Sequence, residues 1–270
     1  MKNRLNSMIA VVAAIGTLCL VPMIASGQGG QGGQRGRGNR PDLSGPAPRL
    51  PNGKPSISGV WGQVRRADVT DSHLPGFVKE LPFTEWGKKQ WESYDAAKGD
   101  YTGSCLPFGI SRTIYGPHPI QIIQDNDYLV FLAEQNTWVH IVPTDGRQFE
   151  KDLPPSWFGE SIGHWDGDTL VIETKNLNGW VRVDTIGHPL SNQARITQTF
   201  KRVDYGHAQH TYTVDDPKTY TRPWTINETW TLKPDVRIME YSCEEGNHDL
   251  FSGHIKGWHP PEEDETPRKD

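Results

Sequence analysis

The sequence predicts a mainly β fold: an antiparallel barrel-like or sandwich domain with one short helix near its start. Three observations carry this expectation. From Ile120 onward, short runs rich in β-branched and aromatic residues follow one another. Turn pairs separate many of them: Asp125-Asn126, Asp145-Gly146, Asp166-Gly167 and Pro234-Asp235. Only 34% of the 270 residues are hydrophobic, yet ten are Trp, so the core is built from a few large rings.

The helix comes first. Thr84 suits its N-cap, Glu85 suits the positive end of the helix dipole, and 88–97 contains good helix formers, with Trp91 and Tyr94 on one face. A first strand opens at Ser56-Ile57-Ser58-Gly59-Val60-Trp61. Further strands are expected at 120–124, 128–134, 137–142, 161–165, 169–174, 180–184, 196–203, 210–214, 224–232 and 237–241. The clearest hairpin spans 159–174. A type I′ turn at Asp166-Gly167 places Trp165 opposite Asp168. Ser161, Trp165, Leu170 and Ile172 then share the apolar side, and His164 joins Glu160 and Glu173 on the polar side.

The ends read differently. Lys2 and Arg4 precede an apolar stretch from Met8 to Ile24, and Ala25-Ser26-Gly27 offers a cleavage site before Gln28. That is the layout of a secretory signal peptide over 1–27; a retained anchor is the alternative. Cys19 lies inside the apolar run, away from the junction, which argues against lipoprotein anchoring. A Gly/Gln/Arg/Pro-rich linker over 28–56 has little to bury, a single domain follows over 57–258, and an acidic tail covers 259–270. The expected destination is the periplasm or the cell exterior, with no stable membrane anchor. Cys105 and Cys243 are then the thiols left in an oxidising compartment, and a disulfide between them is expected, two unpaired buried cysteines being the alternative.

A formal net charge of -5 and a pI near 6.1, with no basic stripe in the folded region, exclude a nucleic-acid surface. Arg35, Arg37 and Arg40 read as part of the solvated linker. Gly159-Glu160-Ser161-Ile162-Gly163 matches the G-x-S-x-G string of serine hydrolases, but that string works only where a strand bends into a helix, and here a second strand follows. No His or Cys spacing of the metal-ligand kind occurs and no cofactor is implied; a metal remains open only through convergence of Glu134, His140, His164, His188 or His248. His207 and His210 read as surface histidines of a turn.

Gly59-Val60-Trp61 resembles the Gly-x-Trp of the first strand in lipocalin-like (calycin) barrels, where the Trp plugs the floor. The segments Trp157 to Val171, Asp145-Gly146-Arg147, His188-Pro189-x-Ser191, Asp216-Pro217-x-x-Tyr220-Thr221-x-Pro223-Trp224 and Tyr241-x-Cys243-x-Glu245-x-Asn247 resemble a group of secreted bacterial proteins with no established activity. That resemblance implies export and a mostly-β fold, and carries no catalytic residue across. Members of that group often have Arg where this chain has His140.

The expected function is binding of a small organic ligand, a sugar or an aromatic compound, in a cavity of the barrel. Ser161, Trp165, Ser191, Tyr220, Trp224 and Asn247 are the candidate ligand-binding residues. The alternative is a lyase or hydrolase on the same scaffold, metal-assisted or not. There His164, His188 or His248 acts as base, with Glu134, Asp184 or Glu245 as orienting group or acid. A structural envelope protein is the third reading.

Overall fold

The computed structural model describes residues 42–96, 100–248, 252 and 258. The leader expected at 1–27 and the tail expected at 259–270 lie outside the described residues, as does the linker up to residue 41.

Nine strands form one sheet: β1 (Gly59–Gly62), β2 (Ile120–Gln124), β3 (Tyr128–Ala133), β4 (Val139–Pro143), β5 (Glu160–Asp166), β6 (Thr169–Lys175), β7 (Arg195–Arg202), β8 (His207–Asp215) and β9 (Trp224–Leu232). Their order is β4-β3-β2-β1-β9-β8-β7-β6-β5, and each neighbouring pair is antiparallel. The sheet curls into a nearly closed barrel. β4 and β5 are its two ends and meet at a seam that no backbone ladder bridges among the described residues.

Alternation fills the interior. Trp224, Ile226, Trp230 and Leu232 of β9, Tyr212 and Val214 of β8, Ile196 and Phe200 of β7, and Leu170 and Ile172 of β6 are all buried. Trp61 is 1% exposed, its Nε1 donating to Ile57 O at 2.9 Å, and the Arg202 guanidinium lies 5.1 Å from its ring centroid. Gly163 of β5 faces β4 closely: a Cβ there would stand 2.9 Å from Thr144 Cγ2 and 3.3 Å from Val142 Cγ1. Only glycine lets the two ends approach so far.

The helix α1 runs Glu85–Glu92, capped by Thr84 Oγ1, which accepts from Gly87 N at 3.0 Å. A second helix, α2 (Gly109–Ile114), has five of its six residues buried, and a short α3 (Cys243–Gly246) lies after the sheet.

Several expectations change. In the β5–β6 hairpin Trp165 pairs with Leu170 and Asp166 with Thr169. The turn is therefore Gly167-Asp168, and of the two only Gly167 has positive φ (56°), the arrangement of a type II′ turn. The shift is two residues, so each side chain keeps its expected face. Residues 180–184 are not a strand; Arg182 makes an isolated bridge to Pro189, in a loop tied down by side chains. Residues 237–241 are also irregular, anchored by Met239 N donating to Glu134 Oε2 at 2.9 Å. Residues 42–56 belong with the domain: Gly206 N and Tyr205 N donate to Leu43 O and Gly45 O at 3.0 and 2.6 Å, and Arg49 pairs with Asp168 at 2.6 Å. Backbone bonds and an ion pair hold this stretch, so its polar composition gave no sign of it.

Candidate functional site: a cavity at the barrel seam

The seam opens onto a narrow, mainly apolar cleft whose enclosed free space is about 20 Å³, within about 360 Å³ of non-atom space that runs out into solvent at its open mouth. α2 contributes Ile110, Thr113 and Ile114; β2 and β3 contribute Ile120, Phe131 and Ala133; Trp138, His140, Phe158 and Gln198 complete the wall. These residues meet because alternation turns β3 and β7 side chains inward while α2 covers the space between them.

Few polar groups reach this wall. His140 of β4 crosses the seam to Ser161 of β5, Nε2 to Oγ 2.9 Å, and Ser161 Oγ is 2.6 Å from Thr174 Oγ1. The imidazole stacks on Phe158, centroids 5.6 Å apart, and burial pushes its pKa down to about 4, so it is neutral near neutral pH. Trp138 Nε1 and Thr113 Oγ1 are buried and without a hydrogen-bond partner among the described residues. Gln198, 1% exposed, has Oε1 3.2 Å from His210 Nε2.

Behind Gln198 runs a sealed polar chain. His210 Nδ1 is 3.2 Å from Glu228 Oε1, which also accepts from Trp230 Nε1 at 2.6 Å. Glu228 Oε2 faces Arg66 Nε at 3.4 Å, both side chains being 0% exposed. Arg66 also donates to Pro75 O, and its guanidinium lies 5.7 Å from the Tyr115 ring centroid. The expectation that His210 is a surface residue is corrected: it is 1% exposed inside the barrel, whereas His207 is half-buried and bonds Asp204 at 2.9 Å.

The chain matches no protein-family model, no curated protein and no solved structure.

The other predicted residues fall into separate groups. Asp184 and His188, both buried, form a pair with Nδ1 to Oδ2 at 2.6 Å. Asp184 also accepts from Val69 N at 2.9 Å and His188 N at 3.2 Å, which staples two loops together. Asp68 brings a second carboxylate, and the three residues offer donor atoms within 4.8 Å of one another. Ser191 donates from N and Oγ to Asp216 at 2.7 and 2.6 Å, and Tyr220 OH donates to Pro189 O at 2.9 Å. The His188-Pro189-x-Ser191 and Asp216-to-Trp224 segments thus interlock, with Tyr220 centroid-to-centroid 5.5 Å from Trp224. Glu134, 8% exposed, bonds His118 Nδ1 at 3.0 Å.

His164, Glu245 and His248 are exposed. Trp165 is half-buried, with Lys54 Nζ 5.9 Å from its centroid. Asn247 donates to Gly103 O at 2.8 Å beside the Cys105–Cys243 disulfide, whose Cα atoms are 5.6 Å apart. Of the six predicted ligand-binding residues, Ser161 alone hydrogen-bonds a residue of the cavity wall among the described residues. Sequence reasoning missed Thr113, Trp138 and Gln198.

Proposed function

We propose that this is an exported binding protein that holds a small, neutral, mostly apolar molecule in the seam cavity. The observation that carries the reading is the mainly apolar cleft at the barrel seam, whose lining residues include Trp138 and Thr113; their Nε1 and Oγ1 are buried and have no hydrogen-bond partner among the described residues. A buried donor without an acceptor costs on the order of 1–3 kcal/mol, and an occupant bearing an acceptor removes that cost. Among the described residues no carboxylate, Lys or Arg lines the cavity and His140 is neutral there, which favours an uncharged occupant over a carboxylate or phosphate. The scarcity of polar groups favours an aromatic compound over a sugar, whose hydroxyls would go unmatched. Among the described residues no helix is long and apolar enough to cross a membrane. Export is supported by the leader pattern and by the Cys105–Cys243 bond.

Calorimetric titration with alkylphenols tests the reading. Wild type is expected to bind with 1:1 stoichiometry, and Trp138→Phe, which keeps the ring but removes the N–H, weakens binding about tenfold. Unchanged affinity in that variant sinks the assignment of Trp138.

A lyase or hydrolase is the second reading, favoured by the buried Asp184–His188 pair, in which a carboxylate fixes the imidazole by Nδ1 and leaves Nε2 without a partner among the described residues. Turnover of chromogenic esters or glycosides that disappears in His188→Asn would favour it; inert wild type would remove it.

A further inference from the structure

Resting on the binding reading, we infer that Gln198 selects the occupant's polar group: the cavity takes a hydroxyl that donates, a phenol or alcohol, in preference to an ether or ester. The inference follows from counting protons along the sealed chain behind the cavity. Glu228 accepts from Trp230 Nε1 and from Arg66 Nε in a fully buried ion pair, so it is a carboxylate, which can only accept across the 3.2 Å to His210 Nδ1. His210 Nδ1 therefore carries a proton. Arg66 and Glu228 already cancel each other's charge in a site where both side chains are 0% exposed. A second cation there would be a buried charge with no counter-ion, so His210 is neutral and its Nε2 is an acceptor.

Two acceptors do not face each other across the 3.2 Å separating His210 Nε2 from Gln198. The amide nitrogen of Gln198 therefore takes that contact, since a half-turn of the amide exchanges N and O without moving anything else. The carbonyl oxygen is left facing the cavity, where Gln198 forms part of the wall and has no other bond among the described residues. The cavity then offers an acceptor from Gln198. A hydroxyl satisfies it by donating. An ether leaves the Gln198 carbonyl unmatched.

The test titrates the mature protein with 4-ethylphenol and 4-ethylanisole, which differ only in whether the oxygen can donate. Wild type is expected to bind the phenol about tenfold more tightly. In Gln198→Met the ratio of 4-ethylphenol to 4-ethylanisole affinity is expected to fall to about one. Equal or tighter binding of the anisole by wild type overturns the inference and leaves the binding reading standing; binding of neither compound overturns both. Because Gln198→Met could disturb His210, the ¹⁵N tautomer signature of His210 in wild type is read separately. The Nδ1–H neutral form supports the inference, and an imidazolium or Nε2–H form overturns it.

Discussion

Arg66, Glu228 and His210 place an ion pair and an imidazole at the centre of a barrel otherwise filled by rings. Each is bound by donors or acceptors from a different strand or loop, which gives the interior one favoured arrangement at the cost of desolvation. His140 is the residue whose environment yields a measurable pH signature. Burial lowers its pKa from 6.5 to about 4. The unfolded chain therefore takes up a proton that the folded chain refuses. Stability from this group is complete above about pH 6.5 and is lost as pH falls toward about 4, with a full loss of about 2–3 kcal/mol. Denaturant midpoints measured from about pH 7.5 down to about pH 4.5 should show this decline in wild type, and His140→Gln should flatten it. An equally steep decline in the variant would assign the effect to another group.

At the scale of elements, the strands were legible wherever side chains alternate over a long enough run. β2 and β9 coincide with the residues expected for them, because Ile120 to Gln124 and Trp224 to Leu232 are dense in β-branched and aromatic residues. The expected start of β8 at residue 210 was three residues late, and that misplaced His210 into a turn; its parity with Tyr212 and Val214 marks it as inward. Glu228 sits in the same inward row as Trp224, Ile226, Trp230 and Leu232, and a carboxylate in such a row was the available signal for the buried chain. The cavity left no comparable trace. Thr113, Trp138 and Gln198 come from α2, the approach to β4, and β7, and only barrel curvature brings them together.

The closure that unites them depends on Gly163. Gly163→Val drives methyl groups against Thr144 and Val142, where even a Cβ stands at 2.9 and 3.3 Å. Overpacking of this kind costs about 1–3 kcal/mol, which lowers Tm by roughly 3–10 °C in a domain of this size. Loss of alkylphenol binding beyond that expected from instability is the accompanying outcome, since His140 of β4 lines the cavity and bonds Ser161 of β5 across the same seam. A variant that melts and binds like wild type would show that β4 and β5 need not meet so closely.

At the scale of the whole molecule, the segment after β9 adds no strand to the sheet among the described residues. Its attachments among the described residues include Lys233 N to Val60 O at 2.8 Å, Met239 N to Glu134 Oε2 at 2.9 Å, Trp258 N to Ser104 Oγ at 2.8 Å, and the cluster in which Asn247 donates to Gly103 O at 2.8 Å beside the Cys105–Cys243 bond. The disulfide spans 138 residues and so encloses every strand except β1. In the chain-entropy account a loop of that length restricts the unfolded state by about 5 kcal/mol, provided the barrel and the clasp unfold together. If the clasp frays first, the barrel's own transition still begins from a cross-linked chain, so the entropic benefit persists, and the distinction shows in cooperativity. The Cys105→Ser/Cys243→Ser double variant is therefore expected to melt about 10–20 °C lower in a single transition, and reduction of wild type should reproduce the shift. A reduced protein melting within a degree or two of the oxidised one would mean that the loop closed by the bond is already compact in the unfolded state, and that the barrel owes its stability to the sheet and its buried rings alone.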